Sequence, residues 1–370
     1  QVQLLIMSTF ATFITIGRPL YRLMNNECYF SWKAIDFLFT VALLSITVSS
    51  LAISALLIGL IIIARKYNIN PDNVTTPIAA SCSDLLAILT ILLFSWCLQK
   101  VILGNYFYIG CFILIGLFGV LPLWIILLRK KEETISASKS GWLTLIISCL
   151  LSSAAGQILV HAASSYRDIS LFAPILLGIT GNRTAMQTSR ISTHLHTSSS
   201  LPGVLPKKSL WIYSNPIRAF ISSDEDARAA RLLLFTAAPF QVLFILIALS
   251  AAYLHGDGGD QIPITFQFFF GYLITSMFHM TILLYMSQMC VHAMWSYKID
   301  PDFHAIPILS GLGDLLGTCL LTGIFKLLDL AQSKEGALVR GKPTNSLHID
   351  PSITAICNMT LLTVTLNEIY

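Results

Sequence analysis

Charge is scarce in this sequence. Of its 370 residues only 11% are Asp, Glu, Lys or Arg, whereas 55% are hydrophobic. Soluble domains carry about 25% charged residues, so the shortage argues against a water-soluble protein of this length. The formal net charge is +4, and no basic patch is interleaved with aromatic residues. We therefore expect no nucleic-acid partner.

The sequence also lacks paired cysteines. Its eight cysteines form no CxxC motif, which argues against a zinc site or a disulfide framework. We interpret them as small buried hydrophobic residues and expect no cofactor. No charged N-terminal region leads into a short apolar core, so we predict no signal peptide.

Long uncharged runs, in contrast, are abundant. A helix needs about 20 apolar residues to cross the hydrocarbon core of a membrane. Stretches free of Asp, Glu, Lys and Arg cover residues 37–64, 101–128, 141–166, 232–253 and 262–297. Further candidates are a short apolar stretch, two stretches with one charge each and an interrupted stretch: residues 2–17, 74–99, 303–325 and 169–189. The sequence thus predicts an all-α, polytopic membrane protein with about nine transmembrane segments.

The distribution of basic residues predicts an orientation. Cytoplasmic loops carry an excess of Lys and Arg. Placing the loop with Arg65 and Lys66 in the cytoplasm also places there the basic residues of 129–131 and the Ser- and Pro-rich loop 191–230. We expect the plasma membrane as the location, with an intracellular membrane as the alternative.

An internal repeat is the most informative feature of the chain. Residues 67–86 read YNINPDNVTTPIAASCSDLL, and residues 297–316 read YKIDPDFHAIPILSGLGDLL, at a constant offset of 230. Nine of the twenty positions are identical, and shared membrane composition does not explain the matched Pro, Asp and Tyr. In the predicted topology the repeats are parallel, which implies a transport route near the repeat interface.

Asp84 and Asp314 occupy equivalent repeat positions and are the only acidic residues within the core of the apolar stretches. Each lies about ten residues, or about 15 Å, from its expected helix start, near the bilayer midplane. A carboxylate there costs about 2.5–3.5 kcal/mol and needs a compensating partner. Two facing aspartates suit a hard divalent cation, which prefers oxygen ligands. The alternative is a protonated or helix-bridging aspartate.

Other polar residues are candidates to line the route. Asp72 and Asp302 precede the two midplane acids and would concentrate cations at the entrance, unless they only start helices. Gly181, Asn182 and Gln187 lie in the interrupted stretch, where glycine permits close backbone approach and amides offer oxygens. Such interruptions are typical of helices that line a polar path.

Imidazole ligands are not expected from the sequence. His194 and His196 lie two residues apart, which places them on different faces of a helix, and we interpret them as loop residues. Thiolate or imidazole sites of the zinc or copper type are therefore not predicted.

The segments PDNVTTPIAAS, FAPILLGITGN and SGLGDLLGT resemble solute carrier family 41, magnesium transporters related to the bacterial MgtE channel. The resemblance extends over nearly all of residues 1–330. The expected organisation is an N-terminally incomplete first MgtE-like repeat, a connecting transmembrane helix with a cytoplasmic loop, a complete second repeat and a polar tail. These cover residues 1–99, 100–140, 141–328 and 329–370.

The resemblance implies functional roles as well. Asp84 and Asp314 would be pore ligands, and Gly181, Asn182 and Gln187 would line the route. Mg²⁺ or another divalent cation would be the transported substrate and Na⁺ a coupling ion, with no enzyme activity. The partners would be the lipid bilayer and either further copies of the chain or a full-length homologue. Arg183 departs from the family pattern, which has an aliphatic residue there.

Three alternative functions stay open at the level of sequence. An intramembrane aspartyl protease would use Asp84 and Asp314 as its dyad, but the repeat and the missing Pro-Ala-Leu motif argue against it. An organic-cation or amino-acid transporter would favour aromatic residues near the aspartates, and none is found. The third alternative is a non-transporting partner of a full-length transporter.

The predicted orientation can be tested by glycosylation. The sequon at Asn358 lies on the predicted outer side, whereas those at Asn73 and Asn182 are out of reach of the transferase. Synthesis with endoplasmic-reticulum microsomes should add one glycan, seen as a gel shift that Asn358→Gln removes. A shift that instead depends on Asn73 or Asn182 would contradict the orientation.

Overall fold

The structure is a computed structural model that describes residues 32–67, 71–102, 106, 108–128, 141–166, 169–197, 215–255 and 266–332. These ranges contain nine helices and no strand, which confirms the all-α class. The helices are α1 Trp32–Lys66, α2 Pro71–Ile102, α3 Tyr108–Leu128, α4 Trp142–Ser165, α5 Ile169–Thr197, α6 Pro216–Ile221, α7 Glu225–His255, α8 Phe266–Ser296 and α9 Pro301–Gln332.

Six of these helices are long and apolar enough to cross a membrane. The spans are Ile35–Lys66, Ser81–Gln99, Trp142–Ser165, Glu225–Ala248, Gln267–Ser296 and Pro301–Leu330. The apolar part of α3 is shorter, Tyr108–Val120, and α5 is not among the six. Residues 2–17 lie outside the described ranges. The chain is thus an integral membrane protein, and six of the nine expected segments are supported.

Helix α5 extends further than expected. It continues without a break from Ile169 to Thr197, through the glycines and polar residues that interrupt the apolar stretch. A glycine within a helix costs only about 1 kcal/mol relative to alanine. His194 and His196 lie in the last turn of this helix, so their expected place in a loop is wrong.

The chain forms two compact units. The first comprises residues 1–67, 81–149 and 343–370, of which the structure describes α1, most of α2, α3 and the start of α4. Its described core is small and joins α1 to the end of α2 through Phe37, Val41 and Ile102. Nearby, Cys111 Sγ of α3 donates to Asp36 Oδ1 of α1 at 3.5 Å.

The second unit comprises residues 68–80 and 150–342 and has α5 at its centre. Helices α7, α8 and α9 all pack against α5. The largest core cluster contains Ile169, Phe172 and Leu176 of α5, Tyr272 of α8, and Leu321 and Phe325 of α9. Because lipid is as apolar as these side chains, tight packing and polar contacts must hold such helices together.

Two glycines let α9 approach its neighbours closely. A Cβ at Gly317 would lie 2.8 Å from Cε1 of His279 on α8 and would overlap Leu177 of α5. A Cβ at Gly313 would lie 3.1 Å from Cδ1 of Leu283 on α8. The lack of a side chain at these two glycines therefore sets how closely α9 packs against α5 and α8.

A matched pair of substitutions in α9 tests this packing. Gly317→Leu should lower the free energy of unfolding by about 1–3 kcal/mol, because it overpacks the contact with α5 and α8. Gly323→Leu should be neutral or stabilising, since no described atom lies within 4 Å of a Cβ at Gly323. Thermal unfolding in nanodiscs measures both, and equal effects would contradict the proposed role of Gly317.

Candidate functional site

A stripe of buried threonines runs along α5. Thr180, Thr184 and Thr188 are at most 2% exposed, and their four-residue spacing places them on one face. Each hydroxyl donates to the carbonyl four residues earlier, at 2.7, 2.8 and 2.7 Å respectively. Sequence reasoning missed this stripe, although the repeated spacing of threonine was the signal.

Helix α8 carries a second buried polar stripe. Ser276, His279 and Ser287 are at most 1% exposed and are spaced so that they share one face of the helix. The stripes of α5 and α8 meet where the hydroxyls of Thr188 and Ser287 lie 2.8 Å apart. We call the eight buried side chains Thr180, Thr184, Gln187, Thr188, Ser192, Ser276, His279 and Ser287 the polar seam.

Several polar atoms of the seam have no hydrogen-bond partner among the described residues. They are Gln187 Oε1, Ser192 Oγ, Ser276 Oγ and His279 Nδ1. An unsatisfied buried polar atom costs about 1–3 kcal/mol, and native proteins normally pair such atoms with protein groups, water or ions. The seam therefore contains buried oxygen and nitrogen atoms whose hydrogen-bond partners are not among the described residues.

Asp314 lies on α9, next to Gly313, which contacts His279 of the polar seam. Asp314 is partly buried. Its Oδ2 accepts a hydrogen bond of 3.1 Å from the Ser152 hydroxyl of α4. The preceding residue is held as well, because the Gly313 carbonyl accepts a 3.0 Å hydrogen bond from His279 Nε2. Contacts from two other helices thus position the turn of α9 that carries the carboxylate.

Gln187 is fully buried on α5. Its Nε2 donates to the Asp226 carbonyl at 3.0 Å, which orients the amide and leaves Oε1 as the unpaired atom. Gly181 and Asn182 lie on the same helix and are partly buried. No described atom lies within 4 Å of a Cβ at Gly181, so the close backbone approach expected there is not found.

Arg183 is bound to α7. One guanidinium nitrogen donates to the Ile179 carbonyl at 3.3 Å, and the other donates to the Thr236 carbonyl of α7 at 3.4 Å. The guanidinium carbon also lies 5.1 Å from the centre of the Phe240 ring, a favourable cation–π distance. The positive charge that departs from the family pattern is therefore fixed between α5 and α7.

The other predicted acids lie elsewhere. Asp84 is exposed on α2, in the first compact unit, so its expected position facing Asp314 stays a prediction. Asp72 falls in the first turn of α2, and its side chain lies outside the described part. Asp302 is exposed in the first turn of α9, where its N–H donates to Asp300 Oδ1 at 3.1 Å.

Comparisons with known proteins agree with the resemblance found in the sequence. The profile of the MgtE family, described as a divalent cation transporter, matches residues 1–94 and 173–324. Solute carrier family 41 member 3 of Rattus norvegicus is 35% identical over 300 residues, which cover 80% of this chain and 63% of that protein. Member 2 of Homo sapiens is 34% identical over 293 residues, 78% of this chain and 49% of that protein. The chain thus spans about half to just under two thirds of these relatives. No solved structure matches it.

The junction of the two polar stripes can be tested by a double-mutant cycle. Thr188→Val leaves the Ser287 hydroxyl without its partner and should destabilise the protein by about 1–2 kcal/mol. Adding Ser287→Ala to this variant should cost less than Ser287→Ala alone, because the unpaired hydroxyl is removed. Chemical unfolding measures the cycle. Thr197→Val is the control, since Thr197 is exposed on the same helix, and purely additive effects would contradict the coupling.

Proposed function

Because this chain belongs to the MgtE family, described as divalent cation transporters, we propose that it transports Mg²⁺ or a related divalent cation across a membrane. Its similarity to members of solute carrier family 41 supports the same proposal. The observation that carries the proposal is Asp314, a partly buried carboxylate near the middle of the span Pro301–Leu330. Transport fits the family description, whereas the aspartyl protease hypothesis gains no support from it.

The physical argument for Asp314 rests on charge. A carboxylate within a membrane span is costly unless it is compensated, and such residues mark ion pathways. The Ser152 hydroxyl contributes a neutral hydrogen bond at 3.1 Å, which orients the carboxylate and leaves its charge intact. A divalent cation supplies the opposite charge, and Mg²⁺ in particular binds through one or two carboxylates while it keeps several waters.

The polar seam and the residues of α5 would contact the hydrated ion. We propose that Gln187 Oε1, which has no partner among the described residues, accepts hydrogen bonds from water bound to the cation. Gly181 and Asn182 would line the same route along α5. Asp72 and Asp302 would attract cations at the entrance.

We propose Asp84 as a second cation ligand because it occupies the position equivalent to Asp314 in the internal repeat. The four-part organisation with two MgtE-like repeats is proposed on the same grounds. Sodium coupling is a further proposal, which rests on the resemblance to solute carrier family 41. Residence in the plasma membrane and association with another copy or homologue are likewise proposed from the sequence.

Flux of Mg²⁺ into proteoliposomes tests the proposal. Asp314→Asn should lower the initial rate at least about tenfold, because an amide has no charge to offset an ion that leaves bulk water. Asp84→Asn should have a similar effect. A sodium gradient should change the wild-type rate if transport is coupled to sodium.

Glu225→Gln is the matched control, since it removes an exposed negative charge from the first turn of α7 and should leave flux unchanged. Thermal unfolding of each variant separates lost folding from lost transport. Undiminished flux in folded Asp314→Asn would refute the assignment of Asp314. Absence of flux from the wild-type chain would refute the transport proposal.

A further inference from the structure

A group of three metal-ligand side chains lies at the end of α5, one helical turn beyond Ser192 of the polar seam. His196 Nε2 is 3.5 Å from Asp300 Oδ1 and 3.6 Å from Asp302 Oδ2. All three ligand atoms lie within 4.8 Å of one another. We call these residues the His196 cluster. It joins the last turn of α5 to the start of α9.

The chain between α8 and α9 places the two carboxylates. Lys298 has a positive φ of 62°, and the N–H groups of Lys298 and Ile299 donate to the carbonyls of Trp295 and Met294. This is a Schellman motif, which ends α8 abruptly. Asp300 then caps α9, because its Oδ1 accepts from the Asp302 N–H at 3.1 Å, and proline follows at the first helical position.

Apolar packing beneath the cluster brings the end of α5 to the same place. A buried group joins α5, α8 and α9 through Ile191, Leu195, Val291, Trp295, Ala305 and Leu309. The ring of His196 meets buried Trp295 edge-on, with centroids 4.9 Å apart and planes at 89°. The imidazole is therefore supported by α8 while its Nε2 lies near both carboxylates.

The two distances from His196 Nε2 fit a tetrahedral ion. Zinc binds imidazole nitrogen and carboxylate oxygen at about 2.0–2.2 Å, so two ligands of a tetrahedral ion lie about 3.4 Å apart. The distances of 3.5 and 3.6 Å from His196 Nε2 are close to this value. The three side chains are 40–46% exposed, which leaves a fourth position open to water.

We propose that His196, Asp300 and Asp302 form a binding site for a borderline divalent metal ion of the Zn²⁺ or Co²⁺ type. One imidazole with two carboxylates favours these ions over Mg²⁺, which prefers oxygen ligands alone. Bound metal ties the end of α5 to the start of α9, the helix that carries Asp314. Asp302 is also proposed to attract cations at the entrance of the transport route, but metal binding by itself defines this site, so its test does not depend on transport.

Metal binding to the purified full chain in nanodiscs tests the proposal. Zn²⁺ is titrated against a chromophoric chelator with Mg²⁺ in large excess, so that oxygen-only sites are filled by Mg²⁺. His196→Gln should lose one equivalent of bound Zn²⁺. Asp302→Asn, which keeps the Asp300 cap, should weaken that equivalent at least about tenfold. His194→Gln is the control on the same helical turn and should bind as the wild type does.

Co²⁺ absorption gives a second readout. The wild type should show the intense visible band of four-coordinate Co²⁺, Zn²⁺ should displace it, and His196→Gln should lack it. Thermal unfolding without metal checks that each variant folds. Equal Zn²⁺ binding by the wild type and His196→Gln would overturn the proposal. An equal loss in His194→Gln would overturn it too, as would six-coordinate Co²⁺ in the wild type.

Discussion

The joining of apolar helices by packing and interhelical hydrogen bonds is the constraint on which the second unit depends. Lipid gives apolar helices no hydrophobic reason to associate, so packing and interhelical polar contacts must join them. Here the Thr188 and Ser287 hydroxyls meet at 2.8 Å between α5 and α8. The close approach of α9 at Gly317 supplies the packing. Together these contacts hold a stripe of buried polar atoms within an apolar protein.

The same constraint explains how the carboxylate on α9 is held. Ser152 donates to Asp314 from α4, and His279 donates to the Gly313 carbonyl from α8. These contacts orient the turn of α9 that carries the carboxylate. The proposed transport places a cation beside this carboxylate, which links the fold of this unit to the function proposed for it.

The second unit carries two different sets of side chains that are proposed to bind cations. Asp314 and the seam offer mainly oxygen atoms, which suit hard ions such as Mg²⁺. The His196 cluster adds an imidazole nitrogen to two carboxylates, a set that suits borderline ions. The difference comes from the His196 side chain, because Asp300 and Asp302 without it would offer only oxygen ligands.

The sequence by itself determined the class of protein, six of the nine expected helical spans and the repeat that marks Asp84 and Asp314, because length and apolarity are local properties. The same local view was wrong for His194 and His196, which lie in the last turn of α5 and not in a loop. Only the tertiary structure determined which remote side chains form hydrogen bonds with each other. Ser152 and Asp314 are 162 residues apart in the sequence, and Thr188 and Ser287 are 99 residues apart. Such contacts arise when remote helices pack, and no periodicity within one segment encodes which remote side chain it will meet.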